Sequence, residues 1–416
     1  MRKYRLIFAL LLLLSISFVA SIYKTESSEV IGAIYIKADG SVDPPTAPIS
    51  TNDNVTYTVT GNINDSIVVE KNNIVVDGSC YTVQGTRAYL SVGIDLTGRN
   101  NVTVKNVSIT AFFCGIRLSW SLGNSLSGNN ITANTEYGIW LRDSSNNSVG
   151  GNNTTANNHY GIRLDSSSNN SVKGNNITAN DCHGIYLFYS YDNIVSENDI
   201  TANTYCGIYT ECSSNNNFSE NNVTANMDSG IYLFSSSSSN SLSGNNVTAN
   251  THYGICLVTF SNNNSLSRNN ISNTSCGVYI PYSFNNSLSE NNIADTGCGM
   301  YFSHSSENNK VYHNNFNNTC QVVSVNSKNA WDDGYPSGGN YWSDYNGTDA
   351  NLDGIGDTPY VFDANNTDHY PLMMPYAIPE LPSFLILPLF MIATLLTVMV
   401  YRRRKVRCEA KVSGTP

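Results

Sequence analysis

The chain has 416 residues, a formal net charge of −10 and only 13% charged residues. Between positions 124 and 308, four basic residues (Arg142, Arg163, Lys173, Arg268) stand against thirteen acidic ones. A nucleic-acid groove needs clustered Lys and Arg, so no nucleic-acid partner is expected. What remains is a neutral-to-acidic surface of Asn, Ser, Thr and Tyr, suited to hydroxyl-rich ligands or to plain hydration.

The N-terminus carries Arg2, Lys3 and Arg5, then an apolar run from Leu6 to Ala20, then polar residues. That layout predicts a signal peptide over 1–21, with cleavage near Ala20–Ser21. Strand-like stretches at Ile31–Lys37 and Val55–Val59 predict an N-terminal strand-rich cap over 30–72.

The segment 73–328 is a repeat. Its anchor is a glycine followed by an aliphatic residue or Met, at Gly93, Gly115, Gly138, Gly161, Gly184, Gly207, Gly230, Gly254, Gly277 and Gly299, with steps of 22 to 24 residues. A period this short and this regular marks a solenoid of single stacked coils. Within each unit the hydrophobic period is two, as in Ile139-x-Leu141 and Ile162-x-Leu164, and Asn/Gly/Ser clusters separate the short runs. Three short strands and three bends fit; strand plus helix does not. The expected fold is all-β: a right-handed single-stranded parallel β-helix of about ten coils at the ~4.8 Å rung spacing, with capping segments and a C-terminal transmembrane helix. Asn supplies 60 residues, many in fixed columns such as Asn130, Asn153, Asn176, Asn222, Asn246 and Asn270, as expected for left-handed bends and hydrogen-bonded ladders.

Several residues in the repeats could carry chemistry. Cys276, Cys298 and Cys320 recur at 22-residue steps and so share a column, while Cys182 and Cys206 sit on adjacent coils. An exported location allows disulfides and the rung spacing permits them; buried thiols packing as small hydrophobes are the equal alternative. His159, Cys182, His183, Cys206, Asp228 and His252 line one edge before the glycines, with ligand types that copper and zinc prefer. Tyr137, Tyr160, Ser229 and Tyr253 fill the same columns, however, and no spacing matches a standard site. Asp143 and Asp165 lie on adjacent coils in different columns, so nothing selects a carboxylate pair for sugar chemistry. The outward position of the Gly-Ile-x-Leu strand is occupied by Arg117, Trp140, Arg163, Tyr186, Tyr209, Tyr232 and Tyr279, one per coil, and is the candidate ligand face. Asn-x-Ser/Thr sequons at Asn54, Asn106, Asn130, Asn146, Asn169, Asn176, Asn222, Asn263 and Asn346 are glycan acceptors in an exported chain, although a turn Asn before an outward Ser or Thr also creates them.

After the repeats, 329–372 is read as a second cap whose Trp331, Trp342, Tyr335, Tyr341 and Tyr360 plug the last coil. Within it Asp349, Asn351, Asp353, Ile355 and Asp357 follow the calcium-loop rule, with Gly354 at the turn. Position 12 is Tyr360 in place of Glu and flanking helices are missing, so the loop resembles the dockerin or thrombospondin type. Calcium is the expected cofactor; copper is disfavoured but open. A linker over 373–383 leads to an uncharged run, 384–401, just long enough to span a membrane, and Arg402–Lys405 open a basic cytoplasmic tail over 402–416. The stretch from Pro379 resembles archaeal sorting signals cut by an archaeosortase, except that Leu381 stands where Phe is usual. A permanent anchor is the simpler reading.

With the pattern NNSxxGNNIxxN…YGIxL over about 60–330 and the tail NAWDDGYPSGGNYWSDYNGTDANLDGIGDTPY at 329–360, the chain resembles NosD-type β-helix proteins of archaeal cell surfaces and the wider carbohydrate-binding and sugar-hydrolase β-helix group. The NosD resemblance implies periplasmic copper delivery to nitrous oxide reductase; the membrane tail and scattered His and Cys depart from that role. The resulting expectation is an exported protein on the extracellular face of the cell membrane, structural or carbohydrate-binding and non-catalytic, with polysaccharide or other envelope components as partners. A polysaccharide lyase, hydrolase or epimerase is the alternative, and a copper-binding accessory protein the second.

Overall fold

The computed structural model describes residues 32–378. The expected signal peptide, transmembrane run and basic tail lie outside the described residues. Among the described residues no helix is long and apolar enough to cross a membrane.

The repeats build a right-handed parallel β-helix with three sheets of 14, 13 and 12 strands, about twelve turns rather than the ten expected. One coil shows the pattern. Tyr137–Arg142 lies in the first sheet, Ser148–Gly150 in the second and Asn153–Thr155 in the third, each paired in parallel with the strand one repeat away. Ile139, Leu141, Val149 and Thr154 point inward and are fully buried, as their period of two dictates. Stacking sets these residues above Ile162, Leu164, Val172 and Ile177 of the next coil, so the core is one continuous column, mostly aliphatic, with Thr154, Thr210 and Phe218 among the exceptions.

The parallel helix begins earlier than the sequence suggested. Ile34–Ile36 already pairs in parallel with Ile67–Val69, and Thr56–Val59 with Val75–Asp77. Among the described residues the short antiparallel partners Val42–Asp43 and Ile49–Ser50 cover this end, blunting edges that would otherwise pair with another chain.

Corners are held by asparagine. Three buried columns begin at Asn124, Asn129 and Asn134: Asn124, Asn147 and Asn170; Asn129, Asn152 and Asn175; Asn134, Asn157 and Asn180; the first two continue into the C-terminal cap, and the third reaches Asn250 before Thr274 and Thr296 take its place. Asn152 is typical. Its backbone N–H and side-chain amide both donate to Asn175 Oδ1 at 3.0 Å, the amide also donates to Leu126 O at 3.0 Å, and its own Oδ1 accepts from Asn129. Every polar atom is satisfied, which is what makes burial of an amide tolerable. The column expected from sequence, Asn130 to Asn153 to Asn176, also forms a ladder, at 2.6 and 2.8 Å, but it is exposed; the three buried columns do more of the holding. Just before the third column, Ala133, Ala156 and Ala179 take φ of 54°, a left-handed conformation costly for a residue with a Cβ. The ladder that starts one residue later offsets that cost.

The anchor glycines answer to close approach rather than to φ. A Cβ on Gly161 would meet Ile177 Cγ2 at 2.6 Å, Gly184 O at 2.7 Å and the Asn180 amide at 2.9 Å, so no side chain fits.

At the far end, Trp331 and Trp342 are buried over the last coil; Trp342 stacks on Phe316 at 4.4 Å and on Tyr360 at 4.9 Å. Tyr335 is not part of this plug, being 62% exposed, and Tyr341 is half-buried. Two of the Asn columns finish inside the cap. One runs Asn309, Asn329, Asn366; the other runs Asn314, Asn340, Asp368.

Candidate functional site

The strand register brings the expected ligand face together. Arg117, Trp140, Arg163, Tyr186, Tyr209 and Tyr232 are successive partners on the outside of the first sheet, followed by Cys256, Tyr279 and Tyr301. Sequence reasoning placed the residues before the anchor glycines in one column but missed that this column interleaves with the first. Tyr160 packs on Tyr186 at 5.1 Å, His183 stacks on Tyr209 at 4.5 Å, and Tyr253 stacks on Tyr279 at 4.8 Å. The signal was available: Tyr137, Tyr160, His183 and Tyr253 recur at the same offset from the glycine. The two columns make an aromatic surface that runs from Tyr137 to Tyr232, is interrupted at Ser229 and Cys256, and resumes at Tyr253 and Tyr279; it is half-buried by its own stacking, with Tyr186 buried.

The N-terminal half of this face is charged. Asp165 aligns with Arg142 in the neighbouring strand, and Arg142 reaches Asp143 at 3.5 Å. Arg163 Nε donates to both Asp165 oxygens at 2.8 and 2.9 Å, and Trp140 Nε1 donates to Asp165 Oδ2 at 2.7 Å. The Arg163 guanidinium lies 5.5, 5.1 and 5.2 Å from the ring centres of Tyr137, Tyr160 and Tyr186. So the two aspartates sit beside basic groups, because strand register sets Arg142 next to Asp165 while Arg163 folds back onto its own strand. Tyr186 O–H donates to Glu211 at 2.9 Å.

Electrostatics keep this surface neutral apart from those pairs. Burial pushes the Tyr160, Tyr186, Tyr209 and Tyr232 phenols above their usual range, so they remain O–H donors. Burial lowers His183 to about 4, and its Nδ1 accepts the Cys206 N–H at 3.1 Å. His159 is also lowered, mainly by burial; its Nδ1 lies 3.0 Å from Glu136 Oε2 without hydrogen-bond alignment.

Other candidates fall as follows. His252 is taken up by Asp228 at 3.0 Å, and Cys182 and Cys206 are buried free thiols. Among the described residues no three His, Cys, Asp or Glu side chains are grouped to hold a metal ion. In the 349–357 loop the carboxylates face the backbone: Asp349 accepts from the Asp353 and Gly354 N–H groups, Asp353 from Ile355, and Asp357 from Ala350. Asn351 hydrogen-bonds to Asp353, and Ile355 is buried, bridged to Leu372. Of the sequon asparagines, Asn54, Asn130, Asn146, Asn169, Asn176, Asn222, Asn263 and Asn346 are exposed and Asn106 is half-buried.

The repeat geometry agrees with a matching family model, described as periplasmic copper-binding protein (NosD), over residues 33–205 and 183–347. The chain belongs to the NosD family. A comparison of this NosD-family chain with curated proteins returned no significant match. Among solved structures, a point mutant of the periplasmic alginate epimerase AlgG is 17% identical with a TM-score of 0.48, covering 68% of this chain and 80% of its own. The A-module of the Azotobacter vinelandii mannuronan C-5 epimerase AlgE4 is 13% identical (TM-score 0.45; 66% and 87% covered), and the catalytic domain of a GH87 α-1,3-glucanase is 13% identical (TM-score 0.47; 68% and 57%). Similarity at this level bears on neither activity nor substrate. Among the described residues the copper in the NosD description finds no matching donor set: the His183 imidazole is buried and accepts a backbone N–H, and His159, His252 and His369 lie beside carboxylates.

Proposed function

We propose that this NosD-family chain is an exported carbohydrate-binding β-helix that engages polysaccharide or other envelope components along the outer face of its first sheet, without cleaving them. One observation carries the reading: a stack of Trp, Tyr and Arg side chains, one rung apart and unbroken from Arg117 to Tyr232, flanked by protonated phenols and by amide-rich edges. Aromatic rings pack against sugar faces, and phenols and amides match sugar hydroxyls. Anchoring through 384–401 is part of the same proposal, as is calcium binding by Asp349, Asn351, Asp353, Ile355 and Asp357, which rests on the spacing of their oxygens.

Polysaccharide-active chemistry is the second reading, favoured by the meeting of Tyr137, His159, Tyr160, Arg163 and Asp165 on two neighbouring strands. Against it, Arg163 is already neutralised by Asp165. Incubating the full chain with panels of uronic-acid and neutral polysaccharides separates the readings. Retention on the polymer with no new reducing or unsaturated ends is the expected outcome. Steady product release, lost in Asp165→Asn, would replace binding by catalysis.

A further inference from the structure

Three cysteines continue the column that precedes the anchor glycines beyond Tyr253, near the C-terminal end of the solenoid. Cys276 and Cys298 are register partners on adjacent parallel strands, and Cys320 follows one rung on, its carbonyl accepting the Gly299 N–H at 2.8 Å. Their thiols share one orientation. Sγ of Cys276, Cys298 and Cys320 lies 3.4, 3.2 and 3.7 Å from the carbonyl oxygen two residues further along its own strand. Side chains oriented alike on a ~4.8 Å rung place successive cysteines within the ~4.4–6.8 Å Cα separation that a disulfide accepts. All three are free thiols. Cys276 is buried, whereas Cys298 and Cys320 are reachable from solvent.

Cys298 differs from the other two in having a thiol on each side. Hydrogen bonding by the Cys276 thiol, and then by that of Cys320, draws its pKa down to about 7, while burial pushes Cys320 up. Thiolate, not thiol, is the attacking species in disulfide exchange.

We propose that Cys298 is the exchange centre of a two-partner thiol switch, oxidised by a small-molecule disulfide and then bridging to either Cys276 or Cys320. In the first step the Cys298 thiolate attacks one sulfur of the disulfide; an S–S bond forms to Cys298 and one small thiolate leaves. In the second, Cys276 or Cys320 gives its proton to solvent, its sulfur attacks Sγ of Cys298, and the second small thiolate leaves. Two protein thiols lose two electrons and the small disulfide becomes two thiols. The two products differ in effect. A 276–298 bridge staples two full coils, whereas a 298–320 bridge ties the last Gly-x-x-x strand to the segment that enters the cap through Gln321, whose amide donates to Ser343 and Asp344.

The test is to incubate the full chain with oxidised glutathione at pH 7, trap remaining thiols by alkylation and map the peptides. Bridges 276–298 and 298–320 are both expected, with Cys114 unmodified because it is buried and its pKa is raised to about 12. Cys276→Ser should leave only the 298–320 bridge, Cys320→Ser only 276–298, and Cys298→Ser neither. An unchanged melting temperature and circular dichroism spectrum would show that each variant is folded. The alkylation rate of Cys298 should rise with a midpoint near pH 7 rather than the ~8.5 of an ordinary thiol. A stable glutathione adduct on Cys298 with both neighbours still alkylatable overturns the switch. So does an ordinary alkylation midpoint, or a Cys276–Cys320 bridge in Cys298→Ser.

Discussion

The inner Asn corners and the outer face of the first sheet are built from the same 23-residue repeat, yet they behave differently along the chain. Position for position, the corners repeat one residue: Asn129, Asn152, Asn175, Asn198, Asn221, Asn245 and Asn269 are all Asn and all buried. The outer column runs Arg, Trp, Arg, Tyr, Tyr, Tyr, Cys, Tyr from Arg117 to Tyr279. An inner amide has both neighbours and a carbonyl to satisfy, so replacing it leaves buried donors without partners. An outer side chain need only cover its neighbour and can vary. The repeat therefore separates residues that hold the coil from residues free to meet a ligand.

The contrast is broken most severely from inside. Asn175→Leu removes the acceptor of the Asn152 N–H and amide and the donor to Val149 O. Orphaning these buried groups should cost about 3 kcal/mol or more, read as a lower denaturation midpoint. Loss under 1 kcal/mol would mean that stacking, not the ladder, holds the corner.

A ladder end sharpens the same point. Asp368 is buried and accepts from Asn340 N–H at 2.8 Å and Trp342 Nε1 at 2.9 Å, and burial raises its pKa to about 6. With the folded value above the ~3.9 of an unfolded Asp, the folded state binds the extra proton between these values, so stability falls as pH rises from about 4 to about 6. Asp368→Asn keeps an acceptor in place and should remove that slope, raising stability at pH 7 by about 2 kcal/mol. Melting curves from pH 4 to pH 8 check this.

On the outer face the expected order reverses. Tyr209→Ala should lower stability by only about 1 kcal/mol, since it loses ring stacking and little else. It should nevertheless weaken retention on polysaccharide about tenfold, equivalent to ~1.4 kcal/mol. If stability falls and retention does not, the stack is only a cover for the sheet. The smallest effect belongs to the tail: calcium at a few times its Kd should stabilise the chain by about 1 kcal/mol, and the double variant Asp349→Ala with Asp353→Ala should abolish the shift. An identical melting curve in calcium and in chelator would remove calcium from the proposal.

The sequence alone determined the coil. A strict period carrying a side-chain period of two leaves one register, because slipping by one residue would turn Ile139 and Leu141 out and Trp140 in. From that, the parallel pairing, the anchor-glycine column and the Trp140–Arg163–Tyr186 line follow. Tertiary structure decided what meets across columns. The Asp165 contact with Trp140 joins residues 25 apart, and the interleaving of Tyr160 with Tyr186 depends on how rings lean between rungs. The early start of the solenoid at Ile34 was hidden for a related reason: its first coils lack the repeat's glycine, so only strand pairing reveals them. Asp368, which ends a ladder begun more than two hundred residues earlier, carries no repeat signal at all. Local pattern fixes which way each side chain points; which neighbour it finds is a property of the stacked whole.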